Sequence, residues 1–144
     1  GMVFTSDKDK NLLNKIDVIS IYVKQIKTLT LQNSLADVKL IFSTTTQDFI
    51  PILNEDQSIY GVIELNQIRS AIFSDNAPSK KFMECISIAP STSVIANASN
   101  VLKIMEDKKT TYVLLTKQGK FVGYITESIL LENYRDNLKN LRIE

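Results

Sequence analysis

"FIPILNEDQSIYGVIEL" (residues 49–65) and "TYVLLTKQGKFVGYITE" (residues 111–127) share one pattern. Each has an apolar strand, a polar turn and a second apolar strand with a glycine inside it, which is typical of a β-hairpin. The two glycines, Gly61 and Gly123, are 62 positions apart, although few other residues are identical between the stretches. A pattern repeated at this distance predicts a duplicated structural unit.

The similarity extends upstream of both hairpins. "KTLTLQNSLADVKLIF" (residues 27–42) aligns with "ISIAPSTSVIANASNVLKIM" (residues 86–105) at an offset of 59, which pairs Ser34 with Ser93. Ser34 is followed three residues later by Asp37, in the manner of a capping box, and Ser93 is expected to cap the matching helix. The change of offset from 59 to 62 predicts that the first copy is three residues shorter between helix and strand.

Each copy therefore reads as strand, helix, strand, strand, helix. We predict an α/β (α+β) fold of two βαββα repeats that pack through their sheets, because one hairpin with one helix is only marginally stable. The helix of the second copy is expected to display Ile95, Ala98, Leu102 and Met105 on its apolar side. The expected divisions are a helical N-terminal segment at 1–17, repeat 1 at 18–73, a polar linker at 74–81 and repeat 2 with a C-terminal helix at 82–144.

The composition excludes several classes of function. The 144 residues include 17 basic and 16 acidic side chains, a net charge of +1, and the basic residues are scattered. We therefore expect no nucleic-acid binding. Since the chain has no histidine, catalysis by Ser-His-Asp or Cys-His groups is excluded. Its one cysteine, Cys85, lies in an apolar stretch and is expected to be buried. We predict no enzymatic activity, no catalytic residue and no metal site.

The chain carries no apolar run of 18 residues, so we expect no direct membrane insertion by this segment. Charged residues at positions 7–10 stand where a secretory signal would be apolar, and a single cysteine fits a reducing compartment, so we predict a cytoplasmic location. Gly1 before Met2 is typical of a cleaved expression tag, and Met2 need not be the natural start. The sequence is compatible with a fragment of a longer chain.

From about residue 18 to 136, the twice-used pattern resembles a tandem pair of CBS domains, also called a Bateman module. "IRSAIF" (68–73) and "GKFVGYITESILLENYR" (119–135) are similar to the cytoplasmic C-terminal region of prokaryotic ClC-type chloride channels. The resemblance implies two βαββα units, a homodimer, and covalent attachment to a transmembrane channel domain. In that case the location is the cytoplasmic side of the inner membrane.

CBS pairs often bind adenine nucleotides, and the family's ligand motif is Gly, two apolar residues, Thr or Ser, two variable residues and Asp. Counted from Gly61, Glu64 and Gln67 occupy the Thr/Ser and Asp positions. Counted from Gly123, Thr126 and Ile129 occupy them, and Ile129 has no polar group. Neither copy keeps the aspartate, so the resemblance implies no required cofactor and, at most, weak binding of AMP, ADP or ATP.

If one cleft survives, it is predicted at the second copy. Thr126 would be its polar contact, Tyr112 an aromatic wall for the base and the Ile88 strand its floor. The alternative interpretation makes Thr126 a strand-end hydroxyl and helix N-cap, and Tyr112 a core or interface aromatic. For Glu64 and Gln67 the alternative is a solvated rim of the cleft.

Two functions remain open from sequence alone. The first is a regulatory, dimerising module of a membrane ion transporter, of the ClC chloride-channel type. The second is a free-standing adenosine-nucleotide sensor that binds a partner enzyme.

Overall fold

The computed structural model describes residues 7–73 and 81–143, and the side chains of residues 11–70 and 81–140. The helices of this part are α1 Asp7–Asn14, α2 Leu35–Thr44, α3 Leu65–Phe73, α4 Ala98–Lys108 and α5 Glu127–Ile143, with 3₁₀ turns at Val18–Ser20 and Phe82–Cys85. The strands are β1 Leu29–Thr30, β2 Phe49–Leu53, β3 Ile59–Glu64, β4 Ser91–Ser93, β5 Tyr112–Lys117 and β6 Lys120–Thr126. Most of the predicted 74–81 linker lies outside the described residues, as do the side chains of Phe73 and Leu141.

The chain divides into two compact units. Residues 25–89 form one, which we call the central unit, and residues 1–24 together with 90–144 form the other, the terminal unit. Each unit has a three-stranded sheet, in the order β1-β2-β3 or β4-β5-β6. In both sheets the first two strands run parallel and the last two form an antiparallel hairpin. The predicted α/β class with duplicated strands and helices is confirmed.

The strand pairings correct the sequence alignment of the two copies. Leu29 pairs with Ile52 in the central unit and Ser91 with Leu114 in the terminal unit, so both members of the pair are displaced by 62. The offset of 59 was therefore wrong, and the first copy does not lack three residues before its second strand.

The prediction that Ser93 caps the helix of the second copy was wrong. It lies at the end of β4 opposite Thr116, and the N-cap of α4 is instead Asn97, whose side-chain oxygen accepts a hydrogen bond from Asn100 N at 3.0 Å. Asparagine caps helices as well as serine does. Ile95 consequently precedes the helix and is 80% exposed, not on its apolar side as predicted.

The cap of α2 is formed as predicted. Asp37 Oδ2 accepts a hydrogen bond from Ser34 N at 2.9 Å and a second from Asn33 Nδ2 at 3.0 Å. These donors, the Ser34 backbone amide first and the Asn33 side chain second, hold the pKa of Asp37 below its usual range.

We predict that Asp37→Asn destabilises the protein at neutral pH and has little effect in acid. A carboxyl with a lowered folded-state pKa stabilises above its unfolded-state pKa, and that contribution is lost as the pH falls through the folded-state pKa. Unfolding free energies of both proteins, measured across the acid range, should converge at low pH. A difference that stays constant with pH would contradict the assignment.

The two hairpins share a β-bulge and differ in their turns. The register shifts between Ile52 and Leu53, and again between Leu115 and Thr116, each time just before the glycine on the facing strand. In the second hairpin Gln118 and Gly119 have φ values of 53° and 79°, so the two-residue turn is of type I′ and Gly119 adopts the positive φ predicted for it.

Each unit has its own apolar core. In the central unit, the buried core side chains are Leu29, Val38, Phe42, Ile50, Ile52, Ile63, Ile68 and Cys85. In the terminal unit, they are Leu12, Leu13, Ile16, Val18, Val94, Ala98, Val101, Leu102, Met105, Val113, Leu115, Ile125, Leu130 and Tyr134. The burial of Cys85, 3% exposed, was predicted. Leu12 and Leu13 of helix α1, and Ile16 and Val18 after it, all belong to the terminal core.

Each sheet is extended by a short crossing segment. Val23, which precedes β1 of the central unit, exchanges two backbone hydrogen bonds with Tyr124 of β6 in the terminal unit, at 2.8 and 2.9 Å. Ser87, which precedes β4 of the terminal unit, exchanges two with Val62 of β3 in the central unit, at 2.8 and 2.9 Å. The segment before the first strand of one sheet thus pairs with the last strand of the other sheet.

The repeated glycines lie where these crossing segments approach. A Cβ at Gly61 would come within 2.5 Å of Ile86 Cγ2 and 2.6 Å of Ser87 O. A Cβ at Gly123 would collide with Val23 O and lie 2.8 Å from the Tyr22 ring, and Gly123 also has φ of +155°. Only glycine lets the backbone of a neighbouring segment come this close.

We predict that Gly61→Ala and Gly123→Ala each destabilise by about 2–4 kcal/mol, because a methyl group forces the crossing segment away from the sheet. Gly119→Ala is the matched control, since no atom lies within 4 Å of its added Cβ and only its positive φ is strained. Its cost should be about 1–2 kcal/mol. Chemical denaturation measures all three, and equal losses at the three glycines would refute the close-approach explanation.

Candidate functional site

In the central unit, the residues that follow Gly61 face the crossing segment. Glu64 ends β3, and Gln67 lies in the first turn of α3. Gln67 Oε1 accepts a hydrogen bond from Ser87 Oγ at 2.9 Å, while Ser87 is bound through its backbone to Val62. The position where the family motif has its aspartate is therefore joined directly to the residue that extends the sheet.

Ile88 belongs to this same place. It follows Ser87 directly, and its side chain is 93% exposed. Ile88 thus presents an exposed apolar side chain next to the residue that bonds to β3. Ile88 belongs to the central unit, whereas Tyr112 and Thr126 belong to the terminal unit. Their predicted common cleft stays a prediction.

Tyr112 and Thr126 lie directly opposite each other in the β5–β6 ladder. Tyr112 begins β5 and is 6% exposed, so its ring is a part of the buried interior. Thr126 Oγ1 accepts a hydrogen bond from Ile129 N at 3.3 Å, and it lies 3.5 Å from Ser128 Oγ. Thr126 therefore caps the first turn of α5 and keeps its hydroxyl at the end of β6, next to the helix N-terminus.

Ile129 cannot replace the missing aspartate. Its backbone amide is bound by Thr126, and its side chain packs against the terminal core. The two units therefore differ at the motif positions. The terminal unit has the hydroxyl of Thr126 and the partly buried Ile129, whereas the central unit has Glu64 and Gln67, which are polar but are not the Thr or Ser and the Asp of the motif.

Lys24 is a further candidate that local sequence patterns do not predict. Val23 is the counterpart of Ser87, so Lys24 is the counterpart of Ile88. Lys24 is exposed, and its Nζ lies 5.6 Å from the centre of the Tyr22 ring, within the range of a cation–π contact. The place that is apolar in the central unit is cationic in the terminal unit. A pairing 101 positions apart in sequence, Val23 with Tyr124, is not visible in local patterns.

Within residues 7–73 and 81–143, no group of three or more metal-ligating side chains comes together. In the same part of the chain, no helix has both the length and the apolar content that a bilayer crossing requires.

We predict that Thr126→Val lowers the unfolding free energy by about 0.5–2 kcal/mol, as expected for the loss of a helix N-cap. Thr126→Ser keeps the hydroxyl and should be close to wild type. Thermal or chemical unfolding of both variants measures the difference. If valine and serine behave alike, the hydroxyl does not cap α5.

Comparisons with known proteins fit this geometry. Residues 80–136 match the family model described as the CBS domain. No curated protein matches the sequence.

The fold is similar to that of several solved structures. The CBS domain of a bacterial CNNM/CorC family Mg²⁺ transporter in complex with ATP matches with a TM-score of 0.74 and 14% identity, covering 87% of this chain and 91% of that one. The same transporter domain in complex with the inhibitor IGN95a matches with a TM-score of 0.74 and 13% identity, covering 87% and 79%. A putative acetoin utilization protein, AcuB, from Vibrio cholerae matches with a TM-score of 0.71 and 18% identity, covering 90% and 97%.

Coverage of 87% of the chain extends over both units, although the family match covers only the second repeat. Residues 80–136 are thus similar to the CBS domain, and the fold of both units is similar to that of solved CBS-domain structures.

Proposed function

We propose that this chain is the regulatory CBS-pair module of a membrane ion transporter, and that it binds an adenine nucleotide weakly. The observation that carries the proposal is the likeness, over 87% of the chain, to a transporter's CBS domain solved with ATP. The module would lie on the cytoplasmic side of the membrane, covalently attached to the transmembrane part and paired with a second copy. A nucleotide that binds two conformations of the module with different affinity would shift their populations. The module would act by transmitting this conformational change to the transporter.

The exposed Ile88 supports a place for the base. An uncovered apolar side chain gives a planar ring a surface to lie on. Glu64 argues against phosphate at the same place, since two anionic groups repel each other. We therefore propose that the central cleft holds the base and sugar of a nucleoside, not its phosphates.

The terminal unit offers the hydroxyl of Thr126 and the exposed ammonium of Lys24. A hydroxyl at a helix N-terminus donates to sugar or phosphate oxygens, and Thr126 Oγ1 can do so while it still accepts the hydrogen bond from Ile129 N. Because Tyr112 is buried, its ring would shape the cleft from inside the unit, and a nucleotide base would have little exposed ring surface to stack on.

A ClC-type chloride channel is our narrower proposal for the transporter. It rests on "IRSAIF" (68–73) and on "GKFVGYITESILLENYR" (119–135), the two stretches that end the repeats. The sequence that the full gene encodes upstream of Met2 tests this proposal. We expect hydrophobic segments with the pattern of a chloride channel there. A magnesium-transporter sequence at that place would contradict the chloride-channel proposal.

A free-standing nucleotide sensor is the second candidate. One observation favours it: this chain covers 97% of the AcuB protein, so a chain of this size matches nearly all of another CBS protein in that structure. A gene that encodes no membrane segments would select this candidate and exclude the first.

Nucleotide binding is tested by calorimetry and thermal shift with AMP, ADP and ATP. We expect weak binding, since a lost hydrogen bond to a charged group weakens affinity by about 10- to 150-fold. An absence of heat and of thermal shift at millimolar nucleotide would remove the proposed ligand.

Introducing the family's Thr and Asp at the two motif positions of the central unit tests the binding place more specifically. Glu64→Thr together with Gln67→Asp removes the repelling carboxylate and adds the acceptor for two ribose hydroxyls, so affinity should rise by about tenfold or more. Glu55→Thr, which removes an exposed carboxylate in the turn after β2, should leave affinity unchanged. If the double variant binds no better than wild type, nucleotides do not use this cleft.

A further inference from the structure

A pocket of about 380 Å³ lies within the central unit, away from the motif residues. It is found at the carboxyl ends of the parallel strands β1 and β2, and its lining consists of Thr30, Leu31, Gln32, Leu53, Asn54 and Glu55. Glu64, at the end of β3, lies at the opposite end of the same sheet, because β3 runs antiparallel to β2. Both the volume and the place, beyond the carboxyl ends of parallel strands, are typical of small-ligand sites.

The terminal unit shows the same place in a closed form. Its strands β4 and β5 stay paired through Ser93 and Thr116, which are the counterparts of Leu31 and Asn54 in the duplicated pattern. In the central unit the pairing of β1 with β2 ends one position earlier, at Thr30. Leu31 and Asn54 therefore do not pair with each other, and they line the pocket instead.

Local hydrogen bonds hold both walls of the pocket. Thr30 N donates to Asn33 Oδ1 at 2.8 Å, and Asn33 Nδ2 donates to Asp37 Oδ2 at 3.0 Å, which fixes the first wall to the start of α2. On the other wall, Asn54 N donates to Ser58 O at 2.9 Å, and Asn54 Nδ2 donates to Ser58 Oγ at 2.9 Å. The pocket is therefore formed before a ligand enters, which lowers the entropic cost of binding.

The lining offers an apolar surface and acceptors without a basic group. Leu31 and Leu53 supply the apolar surface. Asn54 Oδ1 and the exposed carboxylate of Glu55 have no hydrogen-bond or ion-pair partner within residues 7–73 and 81–143. Since none of the six lining residues is basic, an anionic ligand would be repelled by Glu55 and attracted by nothing.

A primary ammonium group on a short alkyl chain matches this lining. The ammonium has three donors and no acceptor, so it can bind a carboxylate and an amide oxygen at the same time. Its methylene groups can pack on apolar side chains while the charged end stays at the solvent edge. The counterpart of Glu55 in the terminal unit is Lys117, so the corresponding place there has the opposite charge as well as paired strands.

We propose that the pocket of the central unit binds a small primary amine in its ammonium form. The alkyl chain packs on Leu31 and Leu53, and the ammonium donates to Glu55 and to Asn54 Oδ1. This site lies within one unit, at the end of the sheet away from Glu64, so it depends neither on the transporter nor on nucleotide binding. It would give the module a second ligand of a different chemical class.

Amide NMR spectra of the whole chain, titrated with n-butylamine hydrochloride at neutral pH, test the site. The amides of Leu31, Asn54 and Glu55 should shift along saturating curves, whereas that of Glu64 should not. n-Butanol has the same alkyl chain without the charge and should bind about fivefold more weakly. Ethylamine should bind more weakly by about fourfold for each CH₂ group that the pocket covers in butylamine.

Three variants make the test specific. Glu55→Gln removes the charge at nearly constant size, so it should weaken butylamine about fivefold and leave butanol unchanged. Glu55→Lys introduces the charge of the terminal unit and should abolish amine binding. Glu106→Gln, which removes an exposed carboxylate on α4, is the matched control and should bind like wild type. The dispersion of the amide signals confirms that each variant is folded.

Four results would each overturn the inference. They are an absence of shifts at the highest amine concentration, shifts spread over exposed acidic residues of both units, equal affinity for butylamine and butanol, and an unchanged butylamine affinity in Glu55→Gln.

Discussion

The close approach of two short segments to the glycines of β3 and β6 is the constraint on which the rest of this structure depends. Val23 and Ser87 each bond to a strand from the other half of the chain's sequence. The terminal unit therefore needs residues 1–24 as well as 90–144, and neither part alone contains its sheet extension and its core. Each bridge therefore joins parts of a unit that are distant in sequence, Val23 to Tyr124 and Ser87 to Val62.

Local patterns predicted a large part of the fold. Alternating apolar residues located both hairpins, Ser34 with Asp37 located the α2 cap, and the apolar context located Cys85 in the core. The alignment of Ser93 with Ser34 failed because a cap is recognised from a single side chain, and serine also suits an edge strand. Asn97 was an equally good signal four residues later, and only the pairing of Ser91 with Leu114 decides between them.

The candidate site was harder to predict, because its parts come together through non-local pairing. Counting from the glycines predicts the motif positions, Glu64 and Gln67 in one unit and Thr126 and Ile129 in the other, and these stay predictions. What counting could not give was the neighbour of each position. Ser87 Oγ donates a hydrogen bond to Gln67 Oε1, and Ile88 is the next residue along the chain, which is why we propose Ile88 for the central cleft. The residues at the motif positions differ between the units: the central unit has the exposed Ile88 beside Gln67, and the terminal unit has the Thr126 hydroxyl that caps α5.

Hydrogen exchange of individual amides, measured by nuclear magnetic resonance, tests this account most directly. The amides of Val23, Tyr124, Val62 and Ser87 all donate across the crossing bridges. The account predicts that they exchange as slowly as amides inside the β2–β3 and β5–β6 ladders, and in concert with them as denaturant is added. Exchange at the rate of an exposed turn such as Gln118, while the ladders stay protected, would contradict it.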